Sequence, residues 1–462
     1  MVSLFALNGV LQYVQVAEAF STVPNKNAIV PENIITNINP KDESKVDPKI
    51  TLISTETNNV IDIVNPVEGN GWVVDENDNV TITKNGEYVI KGKGTTTDNL
   101  IAVEPNLTVK IILDNVIIVK GKTGAGYYYG DTALHFGSNC NFTVEFRGEN
   151  TLRTSIDSRW RDSDIGAAIF VEPGSIGIFE SPYGGKLTCE GMGGITVANA
   201  KVTFTGGTLV CTSSSKGYAA IGMSVMRSGC NSNLHFTGNV NVKCSGIGYG
   251  PGIGFQGTEA SSIAIDGDAR IEAYGGGCMA AIGGEKFDGT ITIGGNAYVY
   301  AQGGNAEMHS FPGLTYPADY LGTDAFMAGA GIGTGGWLPD LTGSVVIKDK
   351  AVVITQGGNG NAHVGSTAMQ IMRIGHGGPG IGPAGMNLAF RRVQDVPIQS
   401  FIAFLKKQGL SDEEIAEKYP VINQSYFSPL TIHSLGVWAN GGDSDYVESM
   451  GLYAGAGSKI GT

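Results

Sequence analysis

Positive charge is scarce in this sequence. Its 30 Lys and Arg residues are outnumbered by 43 Asp and Glu residues, which gives a formal net charge of -13 and a pI near 5.0. Nucleic-acid binding depends on cationic side chains that release counterions from phosphates, so we expect no DNA or RNA partner. An excess of acidic residues by itself mainly keeps a protein surface soluble.

Long apolar stretches are also missing. No part of the chain approaches the roughly 20 apolar residues of a membrane-spanning helix, so we expect no membrane span. An apolar run near the start has no Lys or Arg before it, and Asn8, Gln12 and Gln15 interrupt it. This pattern matches a secretory signal peptide poorly. The sequence AEA leaves cleavage after Ala19 as the alternative.

The sequence lacks the spacings that mark zinc sites and nucleophilic sites. No two cysteines form a CxxC pair, and no histidine is placed to share a metal ion or to serve a serine or cysteine nucleophile. The cysteines are Cys140, Cys189, Cys211, Cys230, Cys244 and Cys278, and the histidines are His135, His235, His309, His363, His376 and His433. We therefore expect no zinc site and expect that the protein is not an enzyme.

Glycine, by contrast, is abundant, with 69 residues or about twice the average usage. The stretch Gly248–Gly254, GYGPGIG, looks like a dinucleotide-binding turn, but that motif needs a helix after it. Both flanks instead alternate apolar and polar residues with the period of β-strands. A related stretch, GHGGPGIG, recurs at Gly375–Gly382. We interpret these glycines as repeated corners of the chain.

A small residue followed by isoleucine recurs along the chain. The spacing is 26 to 32 residues over the first five anchors and then lengthens to 50 and 49 residues. The anchor isoleucines are Ile169, Ile195, Ile221, Ile253, Ile282, Ile332 and Ile381. Most intervals hold two short alternating strands joined by a turn rich in Gly or Asp. This arrangement is typical of a β-solenoid, in which each coil pairs with the next.

The spacing within the repeat predicts which side chains stack inside the solenoid. One expected column, eight residues after Phe236, Ile265, Ile293 and Ile347, contains Cys244, Ala273, Ala301 and Thr355. Cys211 joins this column only if its turn is one residue shorter. Buried cysteines behave as small apolar side chains, so we expect free thiols. Oxidation between Cys189, Cys211 and Cys244 on successive coils is the alternative.

These patterns predict an all-β fold, a right-handed parallel β-helix over residues 72–384. Residues 1–71 are less repetitive and are predicted to form an irregular N-terminal arm or assembly segment. Residues 385–462 are predicted to form a C-terminal cap with two short helices, because the strand period ends there and Asp395 can cap the first helix. An oligomerisation or docking element is the alternative for this segment.

The repeated strand, turn and strand with Gly-Ile corners, opened by VTITKNGEYVIKGKGTTTDNLIAVEPNLTVKIILDNV, resembles the polysaccharide-binding right-handed parallel β-helices. This pectate-lyase-like architecture occurs in secreted bacterial proteins and in phage tail-spike and fibre proteins, and the resemblance covers residues 72–384. It implies a polysaccharide or cell-surface glycan as partner, sometimes with calcium, and a virion or extracellular, cell-surface location. Because fibrous viral β-helices are often trimeric, it also implies a homo-oligomer, with a trimer as one form.

Aromatic residues cluster where the repeat is interrupted. The last two intervals are longer than the others, and long loops on a rigid scaffold often carry function. Aromatic rings suit stacking on sugar rings. The predicted ligand-binding residues are Phe311, Tyr316, Tyr320, Trp337, Tyr127 and Tyr128. Packing of these loops over a coil face or a subunit interface is the alternative.

Three carboxylates lie close together in the sequence SIDSRWRDSDIG, namely Asp157, Asp162 and Asp164. Oxygen ligands of this kind suit calcium, so these residues are the candidate metal ligands and calcium is the one cofactor that we consider. Arg159 and Arg161 can satisfy the same charges, and this alternative stays open.

A second acidic group occupies one repeat, with Asp266, Asp268 and Glu272, and the next repeat offers Asn296 and Tyr300 at matching positions. Glycosidases need paired carboxylates on facing positions. The neighbouring repeats do not supply them, so we interpret these as solvated turn residues rather than catalysts.

Three functions are compatible with the sequence. The preferred one is a non-enzymatic carbohydrate-binding β-helix that acts as a virion or surface-appendage adhesin. The alternatives are a secreted bacterial polysaccharide-binding protein and a polysaccharide lyase or glycosidase.

Overall fold

The protein is described by a computed structural model, which covers most of the repeat region. The described residues are 59–120, 132–154, 166–213, 217–223, 231–248, 250–255, 261–284, 287, 289–305, 328–335, 343–359, 362–363, 373–374, 380–382, 411, 430–432, 436–440, 446–447 and 452–453. All of them belong to the compact unit Glu56–Thr462. Within these ranges no helix has the length and apolar character that membrane crossing requires.

Three long sheets dominate the described residues. The first sheet contains β1 (Val60–Asp62), β4 (Gly86–Lys91), β7 (Thr108–Asp114), β10 (Asn141–Arg147), β13 (Ile176–Glu180), β16 (Lys201–Phe204), β19 (Asn233–Phe236), β22 (Ser262–Ile265), β25 (Thr290–Ile293), β28 (Ser344–Ile347) and β33 (Leu430–Ile432). The second sheet contains β2 (Trp72–Val74), β3 (Val80–Ile82), β6 (Ile101–Val103), β9 (Leu134–Phe136), β12 (Ile169–Val171), β15 (Ile195–Val197), β18 (Ile221–Gly222), β21 (Ile253–Gly254), β24 (Ile282–Gly284), β27 (Ile332–Thr334) and β32 (Ile381–Gly382). The third sheet contains β5 (Thr96–Thr97), β8 (Ile117–Lys120), β11 (Glu149–Thr154), β14 (Lys186–Gly191), β17 (Thr208–Ser213), β20 (Asn241–Ser245), β23 (Arg270–Tyr274), β26 (Tyr298–Gln302), β29 (Val352–Gln356) and β34 (Gly436–Asn440). Two small antiparallel pairs are β30 (Ala362–His363) with β31 (Arg373–Ile374) and β35 (Tyr446–Val447) with β36 (Leu452–Tyr453).

Each coil of the chain gives one strand to each long sheet, in the order second, first, third. Strands on successive coils pair in parallel throughout these sheets, apart from the antiparallel pair of β2 with β3 at one end. This is the predicted parallel β-helix, and the right-handed sense is that of nearly all parallel connections of this kind.

Strict alternation of side chains explains why these short segments form strands. In β22 and β23 the side chains of Ile263, Ile265, Ile271 and Ala273 point inward and are buried, and the residues between them face outward. A slip of one residue would turn all of these apolar side chains to solvent. The interior of the tube is therefore the core that fixes the register.

The predicted isoleucine anchors form one continuous column in the second sheet, from Ile169 to Ile381. The glycine after the isoleucine in β21, Gly254, has a φ of 156°, and a Cβ there would lie 1.6 Å from the carbonyl oxygen of Gly283. Gly222 and Gly333 occupy the same column on other coils. We call this column the glycine ladder; its close backbone approach is the physical reason for the repeated glycine.

The predicted interior column of small residues is also confirmed. Cys189, Cys211 and Cys244 pair in register, and Ala273 and Ala301 continue the same column in the third sheet. The turn before β17 is one residue shorter than the turn before β20, which was the condition for including Cys211. The three cysteines are free and buried, and burial raises the pKa of the Cys189 and Cys244 thiols.

Parallel pairing is present on both sides of the predicted limits of the solenoid, 72 and 384. β1 pairs with β4 before the first limit, and β33 and β34 pair with β28 and β29 after the second. Nearly all of the predicted cap and most of the predicted N-terminal arm lie outside the described residues, so the arm and the two cap helices stay predictions.

Candidate functional site: a tyrosine-lined groove on the third sheet

The outer face of the third sheet gathers aromatic and hydrogen-bonding side chains on three neighbouring coils. The strands involved are β20, β23 and β26, whose in-register pairing lines up their outward positions. The three outward columns are Asn241, Arg270 and Tyr298, then Lys243, Glu272 and Tyr300, then Ser245, Tyr274 and Gln302. Regular alternation therefore presents nine side chains on a backbone held by hydrogen bonds on both sides.

Part of this face encloses a hollow of about 410 Å³, which we call the tyrosine groove. It is lined by Asn241, Arg270, Ile271, Glu272, Tyr274, Tyr298 and Tyr300. The rings of Tyr274 and Tyr300 have centroids 5.9 Å apart and planes inclined by 57°. The Tyr300 hydroxyl lies 3.3 Å from Gln302 Oε1, to which it donates a hydrogen bond.

Glu272 lies at the centre of the hydrogen bonding in the groove. Its Oε1 is 3.0 Å from Lys243 Nζ and also accepts a hydrogen bond from the Tyr274 hydroxyl. Lys243 Nζ is 5.8 Å from the centroid of the Tyr274 ring. One carboxylate therefore holds a cation and a tyrosine of two adjacent coils in fixed positions.

The same contacts set the protonation of the two partners. The hydrogen bond from Tyr274, followed by the contact with Lys243, lowers the pKa of Glu272 below its ordinary value. The hydrogen bond to Glu272, together with burial, raises the pKa of Tyr274. Near neutral pH the carboxylate is therefore ionised and the phenol is protonated.

Arg270 is the free cation of this face. Among the residues that the structure describes, its guanidinium has no ion-pair partner, whereas Lys243 is joined to Glu272. Arg270 lies beside Tyr298 on one side and Asn241 on the other. Planar guanidinium groups offer several hydrogen-bond donors in a fixed arrangement, so Arg270 is available to a ligand in the groove.

A second hollow of about 340 Å³, which we call the corner cleft, adjoins the tyrosine groove. Its lining residues are Gly246, Ile247, Gly248, Tyr274, Gly275, Gly276, Gly277, Gln302, Gly303, Gly304 and Asn305. Backbone crowding requires glycine at its base, because a Cβ on Gly304 would lie 1.6 Å from the Gly276 carbonyl oxygen. Tyr274 lines both hollows, so the two lie next to each other.

The site residues predicted from the sequence are not among the residues that the structure describes. Phe311, Tyr316, Tyr320, Trp337, Tyr127 and Tyr128 lie outside the described residues, as do the candidate calcium ligands Asp157, Asp162 and Asp164. These assignments stay predictions. The described ranges contain no cluster of three or more His, Cys, Asp or Glu side chains suited to a metal ion.

The interpretation as turn residues was wrong for Glu272 of the second acidic group and for Tyr300 at the matching position of the next repeat. Asp266 and Asp268 do lie in the turn between β22 and β23, where they contact His235 at 3.0 Å and Asn296 at 2.9 Å. Glu272, however, lies within β23 and faces outward into the groove. Tyr300 occupies the equivalent position in β26. The signal was the alternation in RIEAY and YVYAQ, which places both side chains outside the tube.

Comparison with known proteins gives no further assignment. No protein-family model, curated protein or solved structure matches this chain. The resemblance to polysaccharide-binding β-helices therefore depends on the repeat pattern, and the groove has to be interpreted from its own chemistry.

Proposed function

We propose that this protein binds polysaccharide chains in the tyrosine groove without cleaving them, as an adhesin exposed on a virion or cell surface. The observation that carries the proposal is the grouping of Tyr274, Tyr298 and Tyr300 on two adjacent coils, surrounded by hydrogen-bonding side chains. Sugar rings offer apolar faces for aromatic stacking and hydroxyl groups for hydrogen bonds. The groove supplies both kinds of contact on a rigid sheet.

Protonation in the groove supports binding rather than acid-base catalysis. A general acid needs a carboxyl group whose pKa is raised towards neutral pH, whereas the pKa of Glu272 is lowered. A general base needs a pKa near the working pH; the lowered pKa makes the Glu272 carboxylate a weak base, and this carboxylate already accepts hydrogen bonds from Tyr274 and Lys243. This pair is suited to holding a ligand and not to moving a proton.

A glycan microarray of polysaccharide fragments tests the proposal. We expect wild-type protein to bind a set of glycans. The double variant Tyr298→Ala/Tyr300→Ala should lose about five- to 150-fold in affinity, since two ring contacts of about 0.5 to 1.5 kcal/mol each amount to about 1 to 3 kcal/mol. Tyr183→Ala is the matched control, because Tyr183 is 78% exposed and lies in the turn between β13 and β14.

Two results would overturn the proposal. Unchanged affinity in a folded double variant would remove the groove as the binding site. Release of reducing ends or unsaturated sugars from a bound polysaccharide by wild-type protein would instead establish a glycosidase or lyase.

A further inference from the structure

The two hollows follow one another along a single strand. Arg270 begins β23 and lines the tyrosine groove, Tyr274 ends β23 and lines both hollows, and Gly275–Gly277 continue directly into the corner cleft. The same neighbouring coils, those of β20 and β26, form the two sides in both cases. The combined depression therefore runs parallel to β23, across the solenoid.

Along the solenoid axis, the aromatic and charged side chains of the groove are not repeated at the equivalent outward positions of the neighbouring coils. On the coil beyond Tyr298 and Tyr300, the equivalent outward residues are Val352 and Ile354. On the coil before Asn241, the equivalent residue is Thr208. Tyrosine side chains and free guanidinium groups are thus confined, among the described outward positions of this sheet, to the strip around β23.

The far end of the depression offers a different kind of contact. Ile247 is a wall of the corner cleft and is 48% exposed, which is high for a large apolar side chain. Close backbone packing requires glycine at Gly276 and Gly304, which are buried at the floor of the cleft. The half-buried Gln302 and the exposed Asn305 also line the cleft. An apolar side chain together with amide side chains can contact one face of a sugar and its hydroxyl groups.

We propose that the ligand is an extended oligosaccharide that lies across the solenoid, with one part over Arg270 and Tyr298 and the next part beyond Tyr274 in the corner cleft. This inference rests on the proposed function and adds to it the direction and the minimum size of the ligand. From Arg270 to Tyr274 the strand alone spans about 13 Å. A single sugar ring cannot fill both hollows, so affinity is expected to grow with chain length.

The test compares two matched substitutions with size-fractionated fragments of pectate, xylan and alginate, from two to ten sugars long. Ile247→Trp fills the corner cleft, and Thr208→Trp places the same side chain on the axial path beside Asn241. Both positions are at the surface, and circular dichroism and thermal melting verify the fold. If Ile247→Trp unfolds, Ile247→Arg replaces it.

We expect wild-type affinity to rise with fragment length. Ile247→Trp should leave the shortest binding fragments unchanged and weaken the longest by about tenfold, whereas Thr208→Trp should leave both unchanged. A larger effect of Thr208→Trp than of Ile247→Trp on long fragments would overturn the inference in favour of an axial ligand. Affinity that does not depend on length would also overturn it while leaving the proposed function intact. If no fragment of any length binds wild-type protein, the proposed function and the inference both fail.

Discussion

Two regions on the outer face of the third sheet have the same strand backbone but carry different kinds of side chain. On β11 and β14, Lys186 Nζ lies 3.3 Å from Glu149 Oε2, and Arg153 Nη2 lies 2.5 Å from Glu190 Oε2. We call this the ion-paired region. On β20, β23 and β26 the face instead carries tyrosines and the unpaired Arg270.

The difference shows which positions of a coil can vary in side-chain type without disturbing the fold. Most inward positions carry small or aliphatic side chains in both regions, because the tube has to be filled, although Asn150 and Thr154 are buried polar residues in the ion-paired region. Outward charges in the ion-paired region satisfy one another, and such exposed pairs contribute little to stability. In the groove Lys243 and Glu272 also pair, but among the described residues Arg270 has no ion-pair partner, and three tyrosine side chains line the hollow. The capacity for binding therefore lies in the outer positions of a few coils.

The largest expected effect comes from disrupting the glycine ladder in the coils that carry the tyrosine groove. Gly254→Ala should destabilise the protein by more than about 3 kcal/mol, because the new Cβ would lie 1.6 Å from a backbone oxygen of the next coil. Gly94→Ala is the control, since Gly94 also has a positive φ of 69° but no atom within 4 Å of an added Cβ. We expect only about 1 to 2 kcal/mol there. Denaturant unfolding measures both, and equal costs would contradict the steric role of the glycine ladder.

A smaller effect should separate the two regions by function. Arg270→Ala should weaken glycan binding about tenfold, as expected for the loss of charge-assisted hydrogen bonds, with little change in the free energy of unfolding. Arg153→Ala removes the same side chain from the ion-paired region and should leave binding unchanged. Isothermal titration calorimetry on both variants makes the comparison. Equal losses of affinity would mean that the protein uses general surface charge.

The smallest expected effect concerns the response of the groove to acid. Because the pKa of Glu272 is lowered in the folded protein, its ionised form stabilises the fold. That contribution is complete above the ordinary glutamate value and is lost as the pH falls through the lowered value. Wild-type protein should therefore be more stable than Glu272→Gln near neutral pH. The difference in their free energies of unfolding should disappear below about pH 4.

Urea unfolding of the two proteins between pH 7 and pH 3 measures this gap. Tyr274→Phe removes the main cause of the lowered pKa of Glu272. In the Tyr274→Phe protein, Glu272→Gln should therefore change the free energy of unfolding less than it does in the wild-type protein. A gap that stays constant down to the lowest pH would contradict the assignment.

The inward-facing residues of the coils could be predicted from the sequence, because only small or apolar side chains of suitable size fill the narrow interior of the solenoid. The column through Ile169 and Ile381 and the position of Cys244 both follow from fixed spacing between apolar residues. Even the shorter turn before Cys211 was identified as the condition for its place in the column.

The groove could not be predicted in the same way, since outward positions obey no packing rule. Asp266 and Asp268 lie in a turn, but Glu272 and Tyr300 lie on strands, which their closeness to acidic turn residues in the sequence does not indicate. Some of their contacts join neighbouring coils, as with Lys243 and Glu272, which are 29 positions apart in the chain. Only pairing of the coils in three dimensions places such residues side by side.

The register of the anchor column has a consequence for how this protein can change. Ile282 pairs with Ile332 as regularly as Ile253 pairs with Ile282, although far more residues separate the first two. The chain leaves the coil after Gly304 and returns at Gly329, whose N-H donates to the Gly304 carbonyl oxygen at 2.8 Å. The entropic cost of a loop grows only slowly with its length once its ends are joined. This corner is thus a natural insertion point, where evolution or an engineer can exchange a peptide of almost any length without disturbing the coils on either side.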